Sequence, residues 1–170
     1  MTLTGCKRGG SDGKDTAMGP HEPIRSVHED VLVFVRARAF RARPPGQWNG
    51  EQVLAHLVAI DRMVAAAAAE LLSGGVPVVD NRAAQSVACL DAIVAAAGRR
   101  DLLQTLDQAG REVALLAAQP DKTHRGTNVP TIVVGAGAVR LQQPRPFSVL
   151  LEPGHVVSHL EQLAALAERS

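Results

Sequence analysis

The sequence has no tyrosine, one tryptophan and three phenylalanines in 170 residues. Binders of single-stranded nucleic acid stack bases on aromatic rings, so this scarcity argues against one. It also has little net charge: 18 lysines and arginines stand against 17 aspartates and glutamates. That balance speaks against a nucleic-acid partner and against a membrane surface. The two cysteines, Cys6 and Cys89, are far apart. They supply neither a disulfide framework nor a cysteine-based zinc site, and they suit a reducing cytosol. No run of eighteen apolar residues occurs, and the first residues lack the apolar core of a signal peptide. The expectation is a soluble, cytoplasmic protein. What the chain does have is 46% hydrophobic and 21% charged residues, enough to bury one globular core.

Residues 1–23 are rich in Gly, Ser, Lys and Asp and almost free of large apolar groups. They cannot offset their ordering entropy and are expected to form a disordered tail. Residues 24–170 then read as one domain. Ser26 can cap a helix carrying Val27, Val31, Phe34, Val35 and Phe40, with Arg36, Arg38, Arg41 and Arg43 as a solvated face near its end. Pro44-Pro45-Gly46 stops it. A second helix is expected from about Trp48 to Leu72, where Ala65–Ala69 allows close approach of a neighbour. A third spans about 81–97 and breaks at Gly98. Asp101 can cap a fourth, 102–118, which Gly110 weakens without ending it. Residues 121–130 read as a loop, 131–143 as a short hairpin, and Ser148 or Pro153 to Arg169 as the last helix. The fold class is therefore all-α, a four-helix bundle with a short β-hairpin before the last helix.

Of six histidines, His21 lies in the tail and His124 in a loop; His28, in the first turn of the first helix, reads first as a surface residue and in second place as a group that supports a site. His155 and His159 are different. Spaced i, i+4, they project from one helix face about 6 Å apart along the axis. His56 falls on the inward side of the second helix, between Val53 and Ile60, where an imidazole needs a polar partner. One reading is a core histidine bonded to a backbone group. The other is convergence: facing helices in a bundle lie about 8–10 Å apart, so three inward imidazoles can meet around one metal ion. Such a set leaves positions open, as catalytic rather than structural sites do.

The run Trp48-Asn49-Gly50-Glu51-Gln52-Val53-Leu54-Ala55-His56-Leu57, followed by Asp61-Arg62, resembles the second-helix signature of the DinB-like superfamily. That family includes the N-terminal domains of mycothiol-dependent maleylpyruvate isomerases and related thiol S-transferases. The run His155-Val156-Val157-Ser158-His159-Leu160-Glu161-Gln162-Leu163 is similar to its last-helix motif. The resemblance covers roughly residues 24–170. It implies a four-helix bundle holding zinc, nickel or iron on His56, His155 and His159, with Trp48 anchoring the start of the second helix. Asp61 and Arg62 read first as a surface or inter-helix ion pair, and in second place as groups that support the site. Gln162 either orients a ligand or belongs to plain helix surface. Pro153 and Gly154 depart from the pattern, because a proline there kinks the helix or starts it late.

The open positions of such a site accept water, for hydrolysis, or a low-molecular-weight thiol as thiolate. The resemblance favours the thiol, mycothiol or a similar one, as cosubstrate for transfer to or isomerisation of a small electrophile. A metal-dependent hydrolase and a non-catalytic, metal-binding bundle that dimerises through Ala65–Ala69 are the alternatives. Cys6 stands in the tail, and Cys89 reads as a small packed hydrophobe. No serine has the glycine pattern of a nucleophile elbow. Glu29 and Asp30, being adjacent, splay apart on a helix and make a poor acid–base couple.

Overall fold

The first helix, α1, runs from Glu22 to Arg36. It begins two residues before Ile24 because Pro23 fits a first turn, where no N–H is required. Ser26 is therefore inside the helix and exposed rather than its cap. The computed structural model describes residues 22–41, 46–135 and 138–167; the tail up to His21, with Cys6, and Arg43 lie outside them. Arg36, Arg38 and Arg41 are exposed, as a solvated face requires. Arg41 does more than face water: its guanidinium donates to the carbonyls of Ala165 and Ala167 and pins the end of the chain to this segment.

Helix α2, Gly50–Leu72, starts where Asn49 accepts from the Gln52 N–H while the Gln52 side chain accepts from the Asn49 N–H. This reciprocal cap satisfies two orphan donors and contributes on the order of 1 kcal/mol. α2 is long and apolar enough to span a bilayer, and 67% of that stretch is buried against the rest of the chain. Three of its five consecutive alanines, Ala65, Ala67 and Ala68, point into the core, leaving Ala66 and Ala69 exposed. The alanine run is thus mainly an internal packing face.

Two helices follow strand β1, Val79–Asp80: the short α3, Arg82–Gln85, and the long α4, Val87–Ala117. The break expected at Gly98 is present. Its backbone has φ 63° and ψ 167°, a conformation reserved almost entirely for glycine, and helical bonding resumes at once. Asp101 consequently sits inside α4 and caps nothing. Cys89 is exposed, not packed, since Leu90 takes the inward position beside it.

The 121–130 segment is more ordered than a loop. Asp121 caps a short helix, α5, Lys122–Gly126, and strand β2 begins at Asn128. The hairpin is confirmed and longer than expected: β2, Asn128–Gly135, pairs antiparallel with β3, Ala138–Pro146, with Val134 opposite Val139. β1 adds a parallel partner to β2, so the chain is mostly helical with a small three-stranded sheet rather than purely helical. A short α6, Phe147–Leu150, leads to α7, Gly154–Leu166. Pro153 stands just before α7 and starts it instead of kinking it.

α1, α2, α4 and α7 share one apolar core built on Val31, Leu54, Leu57, Leu102, Leu106 and Leu163. α2 packs most extensively on α4. A second cluster, around Val64, Ala68, Val113, Val129 and Phe147, seats the sheet end against α1, α2 and α4. His56 lies in the helical core, where α2 meets α7.

Candidate metal centre

His56 is fully buried. Its Nδ1 donates to the carbonyl of Ala84, in α3, at 2.7 Å, which fixes the tautomer and leaves a lone pair on Nε2. Burial, with lesser contributions from His159 and His155, pushes its pKa down to about 4 against the opposing pull of the Ala84 carbonyl. The ring is therefore a neutral donor at physiological pH.

α7 supplies the other two. His155 is the second residue of the helix and is exposed, while His159 one turn later is half-buried. The Nδ1 of His159 donates to Oε1 of Gln162 at 2.9 Å, so its Nε2 also carries a lone pair. Both rings have lowered pKa values: partial desolvation is the main cause in each, with the charge of His159 adding to it at His155. Nε2 of His155 lies 3.1 Å from Nε2 of His56. Because His56 Nε2 has no proton, that contact is satisfied by a proton on His155 Nε2 or by a cation between two lone pairs.

The donor atoms of His56, His155 and His159 all lie within 4.8 Å of one another. A tetrahedral ion with Zn–N bonds of about 2.0–2.1 Å places its ligand nitrogens about 3.3 Å apart. One edge of the triangle, at 3.1 Å, is already near that length, and the others, within 4.8 Å, need closure of at most about 1.5 Å. Three neutral imidazoles, converging from two helices and opening to solvent at His155, fit a borderline divalent cation such as zinc, nickel or iron. Trp48 forms one wall, its ring centroid 4.8 Å from that of His56 and 6.4 Å from that of His159. It thus touches the cluster as well as leading into α2.

None of the family models, curated proteins or solved structures compared with this chain matches it.

The remaining candidates separate. Gln162 is half-buried on α7 and accepts from His159 Nδ1. Asp61 is buried and pairs not with a surface group but with His28 on α1: His28 Nε2 donates to Asp61 Oδ2 at 2.9 Å. Arg62, next in sequence, points to solvent and makes no ion pair among the described residues. His28 is not a surface residue: it is buried, and its Nδ1 donates to the Ile24 carbonyl at 2.8 Å. The signal was present in the sequence, since His28 falls on the Ile24–Val31–Val35 stripe. With both nitrogens facing acceptors, the ring is an imidazolium. Burial is the largest influence on its pKa and lowers it, but the Asp61 hydrogen bond and charge, with the Ile24 carbonyl, together outweigh it and leave the value raised. His124 is hydrogen-bonded to Asp121 near the surface. Glu29 pairs with Arg25 on the exposed side of α1.

Proposed function

We propose that the chain is a DinB-like metalloprotein of four-helix-bundle type, holding a divalent cation on His56, His155 and His159 and using it in thiol transfer or isomerisation on a small electrophile. The observation that carries this reading is the convergence of three imidazole nitrogens, two of the rings having their tautomers set by outer partners. A cation bound there would stabilise an anionic nucleophile, thiolate or hydroxide, in the positions the protein leaves open. The chain's own contributions are distinct. Ala84 and Gln162 hold two imidazoles in the ligating tautomer. Trp48 walls off one side, and the exposure of His155 opens the other to a small molecule.

The thiol assignment rests on the resemblance of the two histidine motifs. It is tested by turnover of an activated aryl chloride with a low-molecular-weight thiol and added zinc or nickel. In that displacement a C–S bond forms, the C–Cl bond breaks, chloride leaves and the thiol proton passes to buffer. Thiol-dependent turnover lost in His56→Ala supports the proposal. Equal rates with and without protein overturn it, and hydrolysis of an ester without thiol moves the reading to a hydrolase.

A further inference from the structure

The cluster leaves one imidazole without an outer partner. Nδ1 of His56 has the Ala84 carbonyl and Nδ1 of His159 has Gln162, but Nδ1 of His155 has no hydrogen-bond partner among the described residues. Histidines that bind metals almost always engage their second nitrogen with a carboxylate, carbonyl or water, which fixes ring orientation. His155 needs this most, because it is exposed and sits in the first turn of α7.

A buried carboxylate is close by. His28, Asp61, Pro153 and His155 line one pocket of about 30 Å³, together with the exposed Glu152 and apolar side chains, room for a single water if two to four polar groups hold it. Asp61 is 4% exposed, and among the described residues the hydrogen bond it accepts, from His28, is at Oδ2. Among the described residues no hydrogen bond joins His28 to the three ligands, yet the chain makes special room for it: a Cβ on Gly110 would stand 2.5 Å from His28 Cδ2.

We propose that Asp61 is the positioning residue of His155, joined to its Nδ1 through one water in this pocket, with His28 holding the carboxylate in place. The inference rests on the metal-centre reading. Asp61 is five residues beyond His56 on α2, so one helix supplies both a ligand and the group that aims another. With a proton on His155 Nε2, Nδ1 accepts from the water. With Nε2 given to a cation, Nδ1 donates to it, and the carboxylate accepts at the far side in both cases.

The test combines cobalt(II) affinity, by chelator competition, with nitrogen NMR of the histidine rings in metal-free and zinc-loaded protein. Asp61→Asn is expected to weaken cobalt binding about 10–100-fold and to move the Nδ1 resonance of His155 while those of His56 and His159 stay in place. A structural role alone would move all three or none, and either pattern overturns the proposal. If Asp61→Asn does not fold, His28→Gln leaves the carboxylate but replaces its charged partner with a neutral donor that holds it less firmly, and the same selective change at His155 is expected, smaller in size. Wild-type protein that binds no cobalt defeats the metal-centre reading instead. The metal-free ring resonances then still decide whether Asp61 acts on His155.

Discussion

Gly110 and His28 cannot both carry full side chains: the Cβ that alanine would add at position 110 stands 2.5 Å from His28 Cδ2 and 2.7 Å from Cγ. Gly110 costs α4 about 1 kcal/mol in helix propensity relative to alanine. That cost makes room for a buried imidazolium between α1 and α4, within reach of Asp61 on α2. Gly110→Ala therefore should not stabilise the protein despite the better helix former. Overpacking costs of about 1–3 kcal/mol are expected to dominate, as a lower urea midpoint at unchanged slope. A rise in midpoint would show that His28 moves aside freely.

The pair itself should be costly to break. Asp61→Ala leaves a buried imidazolium unmatched, and a loss of about 3–5 kcal/mol is expected. Replacing both residues, His28→Leu with Asp61→Leu, should recover much of it. The sign of the pH dependence follows from the raised pKa of His28. Its contribution is complete below the unfolded histidine value of about 6.5 and is lost as pH rises through the higher folded value. The gap between wild type and Asp61→Ala in denaturant titrations should be largest in mild acid and narrow in base. A gap that widens in base would contradict the imidazolium.

Much of the site was legible from spacing, and the reasons are local. His155 and His159 lie one turn apart on one face of α7, and His56 sits on an inward apolar stripe of α2, so spacing alone marks them as a set that can meet. The His28–Asp61 pair spans 33 residues; nothing in either helix read singly joins them, although each lies on its own buried stripe. Strand β1 was hidden for a similar reason. Two residues carry no period, and the partner of Val79 is Thr131 on β2. Pro153 was misleading because the sequence does not say which side of the helix boundary it occupies. One residue outside α7, its missing N–H breaks no helical bond.

At Gly98 the fold depends on a backbone that side chains disfavour. With φ 63° and no atom within 4 Å of an added Cβ, Gly98→Ala would meet no clash, so its whole effect is conformational. A loss of about 1–3 kcal/mol is expected. The next residue, Arg99, donates to the carbonyls of Val35, in the last turn of α1, and Arg38, just beyond it, so hydrogen exchange at the end of α1 should speed up with it. Unchanged stability would mean that the kink is not required.

Gln162 offers a milder probe of the cluster. Gln162→Ala frees the His159 ring without opening the core, since Gln162 is half-buried. Metal affinity is expected to fall about 10–100-fold with little change in thermal midpoint. Gln162→Glu, which keeps an acceptor for His159 Nδ1, should retain most of the affinity. Equal loss in both variants would argue that Gln162 acts by packing.

The most direct measurement is the metal content of purified, tag-free protein, by elemental mass spectrometry after incubation with zinc, nickel or iron, for wild type beside His56→Ala, His155→Ala and His159→Ala. About one ion per wild-type chain, lost in each folded variant, is the expected result for a three-imidazole site. A wild type that takes up no metal, or variants that retain it in full, would contradict a metal centre on these histidines.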